Sequence, residues 1–296
     1  MAVAGPDQDA AMLDSFPSRP AAAARPAVVR PDIDTVNRDT WQRRATVDQY
    51  RRLAGWTDPG ELAAVEWARS LFQGQPVLDI GVGAGRTTAL LRPLAGDYVG
   101  IDSTPEMVAA CRRTYPDVRF EHMDARNLQS LPAGHFGLVV FSFNGIDSVA
   151  PGDRRVILRE VHRVLRPGGL FIVSSHNRHG PGAREAPGLH VPFSANPLRL
   201  GWRLARALVA LPRAVRNHAR LRAANEDHGD WALLNCGAHD FGLLVVYTSL
   251  AEQRRQLQDA GFEVQAVFDS QRGQPVAPEQ DTRDVWWFHT VARKPQ

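Results

Sequence analysis

The amino-acid sequence predicts an α/β protein with a doubly wound, mostly parallel sheet. Two observations carry that expectation: short apolar runs alternate with segments of helical periodicity, and a glycine-rich turn joins the first run to the helix behind it. Strands covered on both faces read as continuous apolar runs, and parallel strands need crossover helices between them.

The elements follow in order. Residues 1–35 hold Pro6, Pro17, Pro20, Pro26 and Pro31 without sustained periodicity, which predicts a disordered or loosely docked tail before one domain over 36–296. Across residues 40–72, Trp41, Val47, Tyr50 and Leu53 recur at helical spacing. Asp58-Pro59-Gly60-Glu61 then opens a second helix carrying Leu62, Val65, Trp67 and Leu71. Pro76 to Ile80 is the first strand, and Arg86 to Leu94 reads as a helix. Tyr98 to Ile101, Val118 to His122 and Phe136 to Phe143 are strands, with a helix from Pro105 to Arg113 after the first of them. Arg154 to Leu165 is helical and stops at Pro167-Gly168-Gly169, before the strand from Leu170 to Ser174. Residues 176–245 break the alternation and predict a helical insert, split in two at Pro212. A helix from Leu250 to Ala260 and strands from Phe262 and Asp284 close the chain.

Composition narrows the function classes. The chain has 296 residues, 44% of them hydrophobic and 23% charged, the balance of a folded, soluble protein. The formal net charge is only +3, and with Lys294 as the sole lysine the basic residues are nearly all arginine. That bias argues against a phosphate-binding surface, so no DNA or RNA partner is expected. Cys111 and Cys236 match no metal or disulfide spacing, which suits a reducing cytoplasm. No signal peptide and no run long enough to span a bilayer is read from the sequence.

The run Asp79-Ile80-Gly81-Val82-Gly83-Ala84-Gly85-Arg86 combines a strand end, a tight turn and a helix start. Glycines there let a ligand approach the main chain. The spacing is G-x-G-x-G, and Arg86 stands where a dinucleotide fingerprint has its third glycine. Asp79 beside the turn would repel a pyrophosphate and attract a cationic amino-acid moiety. Asp102 ends the second strand and can accept two ribose hydroxyls, while Asp124 follows the third strand within reach of an adenine edge. The ligand predicted is a nucleoside without phosphates.

On these motifs, residues 76–175 resemble the core of the class I S-adenosylmethionine-dependent methyltransferases. Asp79-x-Gly81-x-Gly83-x-Gly85 resembles the family's first motif, Asp102 its ribose acid with Ser103 and Met107 following, and Asp124-Ala125 its adenine-contacting pair, with Arg126 next. Phe141-Ser142-Phe143-Asn144 falls where the family flanks the transferred methyl group, and Leu165-Arg166-Pro167-Gly168-Gly169 resembles its turn before strand five. The resemblance implies a Rossmann-like methyltransferase fold of seven strands with the last antiparallel. It implies S-adenosylmethionine as cofactor, S-adenosylhomocysteine as product, and a cofactor site that includes Val82 and Arg86. Tyr50 and Trp41, on the N-terminal helices, are candidates to close over the cofactor, with plain packing as the alternative.

Methyl transfer needs alignment more than a catalytic triad. His176 and Asp147 are the candidates for proton removal from the acceptor. Asn144, Asp147, His176, Asn177, Trp231 and Tyr247 are the candidate acceptor contacts. A structural role is the alternative for each. His179, His190, His228 and His239 fit no metal-ligand pattern, so no metal is expected. Within 199–222, arginines interleave with apolar residues, and no acid occurs between Glu185 and Glu226. That stretch reads as a lid over the substrate, with an anionic partner or membrane surface as the other possibility. The expected activity is methylation of an oxygen or nitrogen on a small molecule or natural-product intermediate of bacterial secondary metabolism. The rivals are a nicotinamide-dependent oxidoreductase, disfavoured by Asp79 and Arg86, and a non-catalytic cofactor-binding protein.

Overall fold

The computed structural model describes residues 31–189, 191 and 193–296. The tail reading for residues 1–30 and the reading of His190 lie outside them.

Three helices precede the sheet: α1 (Ile33–Trp41), α2 (Arg44–Arg51) and α3 (Pro59–Phe72). The first begins inside the stretch expected to be tail, because Asp32 caps it, accepting the Thr35 N–H at 2.9 Å. The third starts where the sequence placed it: Asp58 accepts the Glu61 N–H at 2.8 Å, and Pro59 fills the first position, where its missing N–H costs nothing. Then come β1 (Pro76–Ile80), α4 (Thr88–Leu91), β2 (Asp97–Asp102), α5 (Pro105–Thr114), β3 (Arg119–His122) and β4 (Phe136–Phe141). They are followed by α6 (Pro151–Val164), β5 (Leu165–His176), α7 (Pro197–Leu221), β6 (Glu226–Asp227) and β7 (Trp231–Cys236). The chain closes with α8 (Ala238–Phe241), β8 (Leu243–Thr248), α9 (Leu250–Asp259), β9 (Glu263–Asp269) and β10 (Trp287–Arg293).

Seven strands form one sheet in the order β3-β2-β1-β4-β5-β10-β9. β10 pairs antiparallel with both β5 and β9, and the pairs β1–β2, β1–β4, β2–β3 and β4–β5 are parallel. The seven-stranded Rossmann-like fold implied by the family resemblance is what the chain adopts. Successive side chains point to opposite faces. Leu78, Val139, Phe141, Phe171 and Val173 pack with Ile157 and Val161 of α6 and Leu257 of α9. Val77, Leu138, Val140, Leu170 and Ile172 pack instead with Val65, Ala68 and Phe72 of α3 and Val108 of α5. Two cores therefore sandwich the sheet, and the strand ends are left as the surface where a ligand can enter.

The structure departs from expectation in three further places. The helix read over Arg86 to Leu94 shrinks to α4 and a short 3-10 turn over Arg92–Leu94, because Pro93 cannot continue an α-helix. The insert is only partly helical: β6, β7 and β8 form a separate three-stranded antiparallel sheet, docked by a bridge between Asn177 and Thr248. And α7 runs unbroken through Pro212. The carbonyl four residues back belongs to Leu208, which is 52% exposed, so water can take the place of the missing donor.

Candidate active site

A cavity of about 610 Å³ opens at the carboxyl ends of the parallel strands, where open α/β sheets bind ligands. Its size lies within the range for small-molecule sites.

The turn after β1 forms its floor. Gly81 and Gly83 have φ of +63° and +57°, the left-handed region that costs other residues a steric penalty. A Cβ on Gly81 would lie 2.8 Å from the Phe141 ring, and one on Gly83 would lie 3.1 Å from the Tyr50 ring. Both glycines and Val82 line the cavity. Asp79 and Gly85 do not. Asp79 is 1% exposed and accepts the Tyr98 hydroxyl at 2.6 Å and the Thr87 hydroxyl, so it braces the turn from behind. Burial raises its pKa to about 6 despite those two bonds. Gly85 is covered by Tyr115. The carboxylate that the sequence reading aimed at a cationic ligand group is therefore turned into the protein, because two hydroxyls claim it.

Asp102 does line the cavity. Its carboxylate accepts the Gly83 N–H at 2.9 Å and the Thr104 N–H at 2.8 Å, which ties the end of β2 to the glycine turn. Burial again wins over these bonds and raises its pKa to about 6. Ser103 and Met107 line the wall beside it, with Asp124, Ala125 and Arg126. Asp124 is engaged by Arg126, which also binds Asp34 at 2.5 Å and Asp153 at 2.7 Å. Arg126 thus pins α1 and α6 to the loop after β3.

Arg86 reaches the cavity, but its charge is spent inside the protein. Its guanidinium pairs with Glu61 and donates to the Ser142 hydroxyl at 2.8 Å and to the Trp56 carbonyl at 3.0 Å. It also lies over the Phe143 ring at 4.8 Å.

At the end of β4 the chain turns sharply: Phe143 and Asn144 have φ of +53° and +60°. Phe141, Ser142, Phe143 and Asn144 all face the cavity. Such backbone is costly for residues with a Cβ and collects at functional sites. Asn144 is 6% exposed, and its Oδ1 has no hydrogen-bond partner. Beside it, His176 donates from Nδ1 to Asp147 at 2.7 Å, and its backbone N–H bonds the same carboxylate oxygen at 2.7 Å. The other oxygen takes the Ser175 hydroxyl at 2.7 Å and the Arg154 guanidinium. Asp147 is wholly buried and does not reach the cavity; His176 does. Burial disfavours a charged His176, but the hydrogen bonds and charge of Asp147 overrule it and raise its pKa above the usual histidine value.

The roof comes from two directions. Trp41 and Tyr50 of α1 and α2 pack edge to face at 5.7 Å, and His239 stacks on Tyr50 at 6.1 Å. Cys236, Ala238, His239, Leu243 and Val245 bring the small sheet and its loop into the wall. His239, Asp240 and Phe241 are all left-handed, at roughly 1–2 kcal/mol each for L-residues. Asn235 holds that loop, donating to the Phe241 and Leu243 carbonyls at 2.9 and 2.8 Å, and Asn217 of α7 donates to the Asp240 carbonyl at 2.9 Å.

The remaining expectations fall elsewhere. Asn177 is fully buried and donates to the carbonyls of Thr282 and Val285. Tyr247 lies behind His176, ring centroids 4.9 Å apart, and bonds the Gly182 carbonyl. Trp231 stacks on His228 at 4.0 Å, away from the cavity. No residue of α7 lines the cavity, so the arginine-rich helix is no lid; it braces the loop that is. Asn37, Cys236, His239 and Trp287 line the site without any motif in the sequence to mark them.

Residues 77–169 match the family described as a methyltransferase domain. A trans-aconitate 2-methyltransferase of Azoarcus sp. is 34% identical over 145 residues, which cover 47% of this chain and 52% of that protein. A demethylmenaquinone methyltransferase of Beutenbergia cavernae is 32% identical over 143 residues, 48% of this chain and 50% of its own. The chain thus spans about half the length of these curated relatives. A solved structure, the 1,6-didemethyltoxoflavin-N1-methyltransferase of Burkholderia thailandensis with that compound and S-adenosylhomocysteine bound, shares the fold. Its TM-score is 0.56 over 89% of each chain, at 17% identity. The matched domain ends at Gly169, so it includes the glycine turn, Asp102, Asp124 and Asn144, while His176 and the loop of Cys236 lie beyond it.

Proposed function

We propose that this chain, a class I S-adenosylmethionine-dependent methyltransferase by its domain at residues 77–169, methylates an oxygen or nitrogen of a small molecule or natural-product intermediate. The observation that carries the reading is that the glycine cradle, Asp102 and the Asp147-backed His176 meet in one cavity.

The residues fit such a cofactor. The cradle at Gly81 and Gly83 admits close approach to the main chain, and Asp102 keeps lone pairs for a ribose diol after accepting its two N–H bonds. Ala125 and Met107 give an apolar wall for a base. When bound, the cofactor supplies a methyl carbon already activated by its sulfonium charge. The chain then has to hold the acceptor in line and shed water, and the aromatic roof of Trp41, Tyr50 and Phe143 suits the second task. Asn144 Oδ1 would accept a hydrogen bond from the acceptor's O–H or N–H, and His176 Nε2 would take the proton lost there in the fraction of molecules whose ring is neutral, so activity through this base would rise with pH. Asp147 fixes the ring from behind without touching the acceptor.

Titration calorimetry of the chain with S-adenosylmethionine, S-adenosylhomocysteine and NAD tests the class. Tight NAD binding without response to either sulfur ligand would sink it. Asp102→Ala is expected to weaken adenosylhomocysteine binding by about 1.5–3 kcal/mol, roughly 10- to 150-fold; unchanged affinity would remove the ribose role. Affinity for that ligand is also expected to fall as pH drops through about 6, where Asp102 takes up a proton and loses acceptor capacity. The slope approaches about tenfold per pH unit, and calorimetry between pH about 5 and 8 reads it. For His176→Gln, an activity–pH profile identical to wild type would eliminate the base role.

The domain proposed runs from α1 at Ile33 to residue 296, with His176 and the β7–β8 part of 176–245 facing the acceptor, α7 outside it, and a cytoplasmic setting. Among the described residues no helix is long and apolar enough to cross a membrane. Trp202 and Val209 stand exposed on α7 among its arginines, and this favours an anionic partner or membrane surface there.

A further inference from the structure

We infer that α7 is a surface anchor whose outer face lies in the headgroup layer of a bilayer carrying anionic lipid. This commits the surface reading of α7, on which it rests, to one partner. It holds whether or not the chain transfers methyl groups.

Protein covers only one side of the helix. Ala214 and Leu221 are buried, Leu221 among Ile33 and Leu244. Asn217 donates to the Asp240 carbonyl at 2.9 Å, and His218 donates to Asn235 Oδ1 at 3.0 Å. At about 100° per residue these four side chains share one face. The opposite face is apolar. Leu198, Trp202 and Val209 fall on one line along it and are 83, 63 and 72% exposed. Leu204, Leu208 and Val215 widen that line into a strip. Single exposed apolar residues are ordinary, whereas a contiguous strip marks an interaction surface.

Charge identifies what meets it. Arg199, Arg206, Arg213 and Arg220 recur every seven residues, about 10 Å apart along the axis, and so form one row beside the strip. Arg213 pairs with Asp240 at 3.1 Å. Among the described residues Arg199, Arg206 and Arg220 pair with no carboxylate, and Arg206 lies over the Trp202 ring at 5.6 Å. No acid occurs between Glu185 and Glu226. A second copy meeting this face with its own would bring more arginines and no acid. A protein partner gathers its anchors at a centre inside a polar rim. Here strip and row run side by side down a helix of 25 residues, about 37 Å long, which suits a flat and extended anionic surface. Tryptophan belongs at such a boundary, and arginine stems stay in the apolar edge while their guanidinium groups reach the phosphates.

Pro212 limits the depth. It leaves the Leu208 carbonyl without a helical donor, and hydrocarbon offers none. The helix therefore lies at the hydrated headgroup level instead of crossing, and none of the described helices is long and apolar enough to span. Its inner face carries the Asp240 loop, of which Ala238 and His239 line the cavity. Docking sets that wall of the cavity one helix diameter, about 10 Å, from the headgroups.

Co-sedimentation with vesicles is the test. The full wild-type chain is mixed with vesicles of phosphatidylcholine alone, or of phosphatidylcholine with about one-third phosphatidylglycerol. Binding is expected only to the second kind, weakening about tenfold or more between about 0.05 and 0.5 M salt. Tryptophan emission is expected to shift to the blue on binding, and Trp202→Ser to abolish most of that shift. Arg199→Gln combined with Arg206→Gln is expected to weaken binding about tenfold or more. Urea midpoints equal to wild type show that these exposed-face variants are folded. The anchor is overturned if the chain ignores anionic vesicles, binds neutral ones equally, or binds and shifts its emission unchanged in both variants. Sedimentation as a dimer without vesicle binding would give the strip to a second copy, and as a monomer to an acidic protein. Cofactor calorimetry is read separately: a chain that binds vesicles but neither sulfur ligand overturns the methyl-donor reading alone.

Discussion

Replacing Glu61 with alanine is expected to lower the free energy of unfolding by about 3–5 kcal/mol, because it leaves the Arg86 guanidinium buried without a counter-charge. Arg86 and Glu61 side chains are 4% and 1% exposed, and the carboxylate takes two of the guanidinium donors. Burial works against the charge on Glu61, but the Arg86 bonds overrule it and hold the carboxyl below its usual range. A carboxyl depressed in the folded state stabilises above its unfolded pKa, and that contribution fades as pH falls through the folded value. The deficit of the variant should therefore be full at neutral pH and shrink toward acid. Urea unfolding at pH about 7 and about 4 checks both statements. A companion variant, Glu61→Leu with Arg86→Met, is expected to regain most of the loss, since an apolar pair of similar volume often replaces a buried ion pair at little cost. A loss under about 1 kcal/mol for Glu61→Ala would show the pair to be solvated.

That pair also marks how far the sequence could be read. Arg86 was legible as a departure from a dinucleotide fingerprint, and the departure is real, but the reason lies in Glu61, 25 residues away on α3. Strand ends were the readable part: Gly81, Asp102, Asp124 and Asn144 each follow an apolar run, and topology brings every such end to one edge. Asp79 shows the limit of that logic, since adjacency in sequence placed it at the turn but could not show that Thr87 and Tyr98 would claim it. The roof was hidden for a different cause. Cys236 and His239 reach the cavity through hairpin register and three left-handed residues, and neither leaves a periodic signal. The arginine spacing of α7 was visible and suggested a lid, yet only packing against the Asp240 loop determines that the helix stands outside the cavity. Local chemistry is written in the sequence, whereas long-range pairings are settled by the fold.

Asp147→Asn is the other change with a large expected effect, about 3–5 kcal/mol of stability at neutral pH and a smaller deficit in alkali. The carboxylate is wholly buried and receives donors at both oxygens: Arg154 and Ser175 at one, the His176 ring and backbone N–H at the other. An amide offers one oxygen and one NH2 group, so whichever way it turns, two N–H donors or a guanidinium meet another donor. Arg154, with a side chain 4% exposed, loses its counter-charge as well. The pH dependence follows from His176, whose pKa is raised in the folded state chiefly by Asp147 against the opposing effect of burial. Such a group stabilises fully below its unfolded pKa of about 6.5 and loses that contribution as pH rises toward the folded value. Wild type holds this increment and the variant does not, so the gap between them should be wider at pH about 6 than at pH about 9. Chemical unfolding of both chains at the two pH values measures it. A gap that is constant across that range would separate Asp147 from the histidine, leaving Arg154 as its sole charged partner.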